Sequence, residues 1–532
     1  MTTLPQWLDP AMGADETAPA QRFLAPSGWT SRTYGELHDL VRRTAAVLIS
    51  QGATPERPIA IIAQTRPEWT IVDLAAASIG VPTVPVYPTS SPRQIEELLR
   101  RLDIGVTVGD RDDLADVEGT GVLLRLGTNA GDLGDLARGP LDDAEDEMLR
   151  DLEAAVRSDD VFSIIFSSGS TGAPKGCVLT HANYVAVLKM ATSVETSGPD
   201  GAAHRAHAFV YLPLAHVSAR LQQLTTLSVG GELVYGSGST PELLDQIAAT
   251  RPTYVPGVPR FFESAYVRAD RDPGRLRAMF GDRLGYALTG GAPIDPAMLA
   301  TYRAAGITLV EGYGLTETAA ALTLCAPHAN REGSVGRALP GVTLRLADDG
   351  ELLARGPNVF QGYLDDESAT ADAFTDGWFR TGDLATIDED GFVYITGRKK
   401  NLIVTSTGKN VAPEPIENRM RTVLGIADVA VVGDRYPYLI ALIFGADESG
   451  ADSLVAGIRA LNDDVAPPER IRKIVLVPTP LDPARGEVTA SGKLMRPTVL
   501  DHHRDLIAAV YDGREPDVPV LDTAERPSRT AA

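Results

Sequence analysis

Cysteine is scarce in this chain: Cys177 and Cys325 are the only two among 532 residues. Two thiols so far apart make neither a zinc-ligand pattern nor a disulfide framework. They read as free thiols in a reducing compartment, so a cytoplasmic protein is expected. Long apolar runs are missing as well. No stretch approaches the ~20 residues of a membrane span. The opening segment MTTLPQWLDPAMGADETAP is acidic and proline-rich where a signal peptide needs an apolar core. A lipid-like substrate would have to be met from the aqueous side. Basic residues are outnumbered, 49 against 71 acidic, for a net charge of −22. That argues against nucleic acid or anionic lipid as partner, while one local basic site still accepts an anionic substrate.

The remainder is ordinary globular composition, 44% apolar and 23% charged. The length exceeds what one hydrophobic core supports, so several subdomains are expected. From about Thr33 to Leu344 strand-like and helix-like segments alternate: RPIAIIAQ (Arg57–Gln64) and VPTVPVYP (Val81–Pro88) as buried strands, EWTIVDLAAASIG (Glu68–Gly80) and PRQIEELLRRL (Pro92–Leu102) as helices. This rhythm predicts parallel sheets covered by helices. Asp103–Asp151, rich in Gly and Asp, reads as containing surface loops. Gly341–Leu364 has the short strands and turns of a β-rich subdomain, and Ala427–Asp447 reads as a hairpin. The expected fold is α/β. A large N-terminal domain of layered sheets covers 1–399, with a β-rich subdomain at about 335–398. A smaller α+β C-terminal domain covers 400–512, and 513–532 is a polar tail expected to be disordered.

Four stretches carry chemistry. SIIFSSGSTGAPKG breaks from an apolar strand into Ser167, Ser168, Gly169, Ser170 and Thr171, then reaches Lys175. Such a loop turns backbone N–H groups and hydroxyls toward an anion, and the lysine adds a point charge. It is not a Walker A loop, because Pro174 precedes the lysine and Gly176 follows it. EGYGLTETAA offers the Tyr313–Gly314 aromatic face and close backbone, with Thr316 and Glu317 beside them; Glu317 suits Mg²⁺ next to a nucleotide. In DGWFRTGDLATIDEDGFVYITGRKKN, Asp383 can accept ribose hydroxyls, and Arg398 ends the next strand. GEVTASGKLMRP sets Lys493 in a flexible context from which it can reach a reacting phosphate. Read singly, each stretch is also compatible with a polar linker, a turn or a surface charge. His216 in an apolar setting reads by default as a structural histidine, and Arg260 as a partner of Glu263.

Together and in this order, from about Thr33 to Tyr511, these stretches resemble the adenylate-forming superfamily of acyl-CoA synthetases, peptide-synthetase adenylation domains and luciferases. The phosphate loop resembles Ser167–Lys175, the aromatic–Gly–x–Thr–Glu motif Tyr313–Glu317, the ribose residues Asp383 and Arg398, and the adenylating lysine Lys493. Gly290, Gly291 and Ala292 match the segment between adenine and the acyl group. VPVYPTSS, LPLAHVSAR, GVPRFFE and GRKKNLIVTSTGKNVAPEPIE resemble bacterial long-chain fatty acyl-CoA synthetases in particular.

The resemblance implies ATP and Mg²⁺, a small carboxylic acid, and CoA as acceptor. The acid would be adenylated with release of pyrophosphate and then passed to CoA. It implies Thr316, Glu317, His216 and Lys493 as catalytic residues, Glu317 also as metal ligand. Lys400 would be the hinge of a mobile C-terminal domain that brings Gly408 to an acceptor channel after the first step. The acid pocket would comprise His216–Gln223, Gly257–Phe261, Tyr286–Ala292 and Tyr313–Ala320. Asp103–Asp151 and the C-terminal lobe are shorter than in long-chain enzymes, which leaves the acid open. It also keeps alternatives in play: an aryl acid, a carrier-protein acceptor, or nitrite activated to diazotise an aromatic amine. A binding-only scaffold has no need for Lys175, Glu317, Asp383, Arg398 and Lys493 together.

Overall fold

The computed structural model describes residues 2–127, 131–167, 174–195, 206–291, 294, 296–423, 426, 428–489 and 493–523. Ser168, Gly169, Ser170, Thr171 and Ala292 lie outside the described residues, and Ser167 enters through its backbone alone.

The two apolar runs expected as strands become Ile59–Ile62 and Thr83–Val86, parallel, with Ile59 opposite Thr83 and every residue buried. Burial on both faces is why they read as continuous apolar runs rather than alternating ones. They lie inside a sheet ordered Gly362–Tyr363, Lys175–Thr180, Val161–Ser167, Thr83–Val86, Ile59–Ile62, Val106–Gly109, Val122–Arg125. A second sheet runs Arg337–Ala338, Thr323–Leu324, Thr308–Tyr313, Tyr286–Gly290, Tyr254–Gly257, His207–Val210, Glu232–Tyr235, Pro19–Ala25, Gly28–Thr33. Its centre is parallel and its edges antiparallel. The helices start where capping chemistry allows. Thr33 and Glu36 form a capping box before Tyr34–Ser50, and Ser91 and Gln94 do so before Pro92–Leu99. Pro67 stands at the start of Pro67–Ser78, where its missing N–H costs nothing.

The β-rich subdomain is an antiparallel sheet of Thr343–Leu346, Glu351–Arg355, Trp378–Ile387, Phe374–Thr375 and Val393–Arg398. Beyond residue 400 a separate apolar core forms around Val429, Leu439, Ile443, Ile458 and Ile474. The expected hairpin is Asp428–Val432 paired with Leu439–Phe444. One expectation needs correction. Val520–Asp522, within the segment expected to be disordered, adds an antiparallel edge strand to Ile471–Val477, and Thr523 hydrogen-bonds back to Arg472 and Ile471. Backbone pairing at an open edge needs little side-chain periodicity, so composition hid it. Asp103–Asp151 contains exposed loops, as expected, together with regular structure. It supplies two neighbouring strands, Val106–Gly109 and the edge strand Val122–Arg125, and the helix Asp143–Ala155.

Candidate active site

The strands on either side of the predicted phosphate loop pair with each other. Val161–Ser167 pairs antiparallel with Lys175–Thr180, and Ser167 and Lys175 are the last cross-strand partners. The lysine therefore stands at the mouth of the loop. Its Nζ lies 5.1 Å from the centroid of the Tyr363 ring, a cation–π contact. Arg101 donates to the Pro174 carbonyl and lies over Phe166, bracing the same hairpin. Tyr363 arrives because Gly362–Tyr363 pairs with Val178 and Cys177 at the sheet edge.

The Tyr363 O–H donates to Glu317 Oε1 at 2.9 Å. Burial, with the Glu317 carboxylate next in size, pushes the Tyr363 phenol far up, so it stays a donor. Glu317 sits in a single 3₁₀ turn, Thr316–Thr318, followed by Ala319 and Ala320 at φ 49° and 85°. Two successive left-handed non-glycine residues store strain of about 1–3 kcal/mol each, which proteins tolerate where geometry serves a site. The turn also needs Gly314, where a Cβ would fall 2.2 Å from the Ala320 carbonyl oxygen.

Asp383 and Arg398 are register partners on adjacent strands, with Arg398 Nε 2.8 Å from Asp383 Oδ1. The Tyr313 O–H donates to Asp383 Oδ2 at 2.7 Å, tying two of the predicted motifs together. The Asp383 side chain is only 3% exposed. Burial raises its pKa, against the lowering influence of Arg398. Oδ1 is buried without an aligned hydrogen bond, so it keeps acceptor capacity for a ribose hydroxyl.

Lys493 reaches this cleft from the C-terminal lobe. A Cβ on Gly291 would lie 4.0 Å from its Nζ. Although the side chain remains accessible to solvent, crowding by protein atoms lowers its pKa, and the charge of Arg398 adds to this. Its backbone is fixed by hydrogen bonds with Thr489, from Thr489 N–H to the Lys493 carbonyl at 2.8 Å and from Lys493 N–H to Thr489 Oγ1 at 3.0 Å. His216 caps the helix Val217–Ser228, its Nδ1 accepting from Ser218 N–H at 3.2 Å, which leaves the proton of the neutral ring on Nε2. Burial, then the charge of Lys493, pulls its pKa down to about 4, so the ring is neutral at physiological pH. The structure thus gives His216 a capping role at the rim of the cleft.

Lys400 lies between two anchors. Lys399 Nζ pairs with Glu351 Oε2 at 2.9 Å and with Asp349 in the N-terminal lobe, while Asn401 hydrogen-bonds Glu414 in the C-terminal lobe. Gly408, at φ 76°, is exposed with nothing within 4 Å of a would-be Cβ. Of the two C-terminal candidates, Lys493 is in the cleft and Gly408 is in solvent. Arg260 stands 3.6 Å from Asp428 across the lobes, a contact that its expected local pairing with Glu263 did not anticipate.

Sequence reasoning missed Tyr363, Lys399 and Glu311. Glu311, one strand position before Gly312 and Tyr313, is buried, and burial raises its pKa to about 7. Tyr363 carried no local motif, and only strand pairing brings it to Glu317.

The residues present fit Mg²⁺–ATP. Among the described residues no cluster of three His, Cys, Asp or Glu forms a ready metal cage. Glu317 is one carboxylate linked through Tyr363 to the hairpin that carries Lys175, a donor that Mg²⁺ would complete with phosphate oxygens and water. A hairpin ending on a lysine, a buried carboxylate acceptor and a second lysine delivered from the C-terminal lobe are the arrangement expected of an adenylate-forming enzyme.

The sequence matches the AMP-binding enzyme family over residues 11–364 and the AMP-binding enzyme C-terminal domain over residues 400–515. The chain belongs to the AMP-binding enzyme family. It is 34% identical to the long-chain-fatty-acid–CoA ligase FadD15 of Mycobacterium tuberculosis, covering 91% of this chain and 93% of that protein. It is 26% identical to human long-chain-fatty-acid–CoA ligase 1, over 91% of this chain and 83% of that one. Among solved structures, the O-succinylbenzoate coenzyme A synthetase of Bacillus subtilis bound to AMP superimposes with a TM-score of 0.76 at 23% identity, covering 92% of this chain and 97% of that one. The anthranilate CoA ligase AuaEII in complex with anthranoyl-AMP gives 0.80 at 18% identity, covering 95% and 98%. At such identities these two likenesses show the fold alone. No helix among the described residues is long and apolar enough to cross a membrane.

Proposed function

We propose that the chain activates a medium- or long-chain carboxylic acid as its acyl-adenylate and then transfers the acyl group to CoA. The observation that carries this is Lys493 Nζ beside Gly291 in a cleft whose other wall holds Asp383 and Arg398. In the first half-reaction a carboxylate oxygen attacks the α-phosphorus of ATP. The bond to the bridging oxygen breaks, and pyrophosphate leaves. Two anions must meet while charge builds on the leaving group, so positioned cations are the effective catalysts. Lys493 would bridge the carboxylate and the α-phosphate, and Lys175 with the loop Ser167–Thr171 would hold the β- and γ-phosphates. Asp383 would take the ribose hydroxyls, and Arg398 would hold the Asp383 carboxylate in place. Thr316 would donate to phosphate. Mg²⁺, when bound, offsets phosphate charge, and Glu317 is the carboxylate placed to hold it.

In the second half-reaction the CoA thiolate attacks the acyl carbonyl and AMP leaves. Lys400, between its two anchors, would serve as the pivot that withdraws Lys493 and brings Gly408 inward, a domain rotation of ordinary type. FadD15 and the human ligase are named for CoA ligation of long-chain fatty acids, which supports both acid class and acceptor.

The test is pyrophosphate release by the purified protein with ATP and Mg²⁺, across fatty acids, aryl acids, and nitrite with arylamines, each with and without CoA. Acid-dependent release with acyl-CoA as product supports the proposal. Release that needs nitrite and an arylamine, or that ignores CoA, replaces the acceptor.

A further inference from the structure

Two elements diverge from the catalytic lysine and meet again deeper in the N-terminal lobe. The helix Val217–Ser228 begins next to His216, whose ring feels the charge of Lys493. The strand Tyr286–Gly290 ends next to Gly291, beside Lys493 Nζ. On the helix, Ser218 and Gln222 are partly exposed while Val217, Ala219, Arg220, Leu221 and Gln223 are buried. A spacing of four puts Ser218 and Gln222 on one face. On the strand, Tyr286, Leu288 and Gly290 are partly exposed and alternate with buried Ala287 and Thr289, so they share the other wall. Partly exposed residues flanked by core on both elements line an opening.

That opening has a floor. Tyr254, opposite Tyr286 in the sheet, packs against it with the rings tilted by 37° and 4.7 Å between centroids, and donates its O–H to Gln222 Oε1. Gln222 accepts through its oxygen, and no hydrogen bond from its Nε2 donors is made among the described residues. Six helical residues at ~1.5 Å from His216 and four strand residues at ~3.3 Å from Gly290 put this floor about 9–13 Å beyond the two residues that flank the lysine. With C–C bonds of ~1.5 Å, that depth holds roughly seven to ten carbons, or an aryl acid.

We propose that Gln222, braced by Tyr254 and Tyr286, sets acid specificity by offering amide donors at the end of the acyl cleft. The matching substrate is a medium-length or aromatic carboxylic acid with a hydrogen-bond-accepting oxygen at its far end. A methyl terminus would cover the amide without satisfying it, which costs binding; an oxygen would satisfy it. This rests on the adenylation reading above.

The experiment measures ATP- and Mg²⁺-dependent pyrophosphate release by the full-length protein with decanoate, ω-hydroxydecanoate and palmitate. It compares the wild type with Gln222→Leu, and records KM for ATP and thermal unfolding for both. The expected result is a kcat/KM for ω-hydroxydecanoate about tenfold above decanoate, with palmitate lowest. Gln222→Leu should reverse the first preference while leaving the KM for ATP unchanged. Release with all three acids, with palmitate best or with a hydroxyl preference that the variant does not alter, overturns the floor and leaves adenylation standing. No release with any acid removes the adenylation reading and the floor with it.

Discussion

The phenol of Tyr363 donates to the carboxylate of Glu317 at 2.9 Å while its ring face receives the ammonium of Lys175 at 5.1 Å. One side chain from the sheet edge thus orders a proposed Mg²⁺ ligand and a proposed phosphate ligand. Tyr363→Phe keeps the ring and loses the hydrogen bond. The expected outcome is a several-fold higher Mg²⁺ requirement for pyrophosphate release, with little change in KM for ATP at saturating Mg²⁺. Tyr363→Leu loses both contacts and should raise both constants. Titrating Mg²⁺ at fixed ATP separates the two, and identical behaviour of the variants would show that Glu317 does not depend on the phenol.

Lys493 must be protonated to stabilise charge, and its surroundings lower its pKa through crowding by protein atoms and the charge of Arg398. Its ammonium is therefore lost at a pH below the ordinary ~10.4 of lysine. Pyrophosphate release should show an alkaline limb that begins below that value, and Lys493→Arg should remove the limb even at a reduced rate. Lys493→Ala should cost about a hundredfold or more in the first half-reaction. It should largely spare nucleotide-dependent thermal stabilisation and CoA transfer from supplied acyl-adenylate.

Asp383 is kept buried for the sake of an acceptor. Its folded pKa is raised, so its ionised form lowers stability: the contribution is present below the unfolded pKa and lost as pH rises through the folded one. Asp383→Asn removes that cost, and Tyr313 can still donate to the amide oxygen. The expected variant unfolds no earlier than the wild type at neutral pH yet has a KM for ATP raised about tenfold or more, a stability–activity trade-off. Thermal scans and ATP titrations check the two halves separately.

Much of this site was legible because its chemistry sits in short local motifs. Tyr313, Glu317, Asp383, Arg398 and Lys493 each stand in a short stretch whose neighbours make turns or offer groups suited to an anion. The buried strands were equally plain, since sheets covered on both faces need unbroken apolar runs. What escaped notice depends on pairing between distant segments. Tyr363 reaches Glu317 only through an edge strand of two residues. Val520–Asp522 joins its sheet by backbone bonds that leave no periodic trace. Arg260 faces Asp428 because two lobes close on each other, which no local reading contains.

Glu311 should give the fold a pH dependence near neutrality. Burial raises its carboxyl from an ordinary 4.5 to about 7. The stabilising contribution of its protonated form is complete below the unfolded value and is lost as pH rises through about 7. Apparent melting temperatures should therefore fall across that range, and Glu311→Gln should flatten the fall. A variant that tracks the wild type at every pH would show that other groups carry the dependence.

The two large sheets are joined by a buried charge. Arg220, from the helix that His216 caps, pairs with Asp73, and both side chains are 0% exposed. Its Nε donates to Asp73 Oδ2 at 2.9 Å, Nη1 to Ser163 Oγ at 2.6 Å and Nη2 to Thr83 Oγ1 at 2.7 Å, and the guanidinium lies 4.0 Å over the Phe162 ring. Removing one partner leaves the other charge buried and unmatched. Asp73→Ala should therefore destabilise by about 3–5 kcal/mol in urea unfolding. Arg220→Met combined with Asp73→Leu should cost clearly less than the sum of the single changes, because neither charge is then stranded. The functional consequence travels along the helix. Arg220 stands two positions from Gln222 and four from His216, so loss of its anchor should raise the KM of the acid before that of ATP. If both constants rise equally, the cluster supports the lobe as a whole rather than the acid-binding wall.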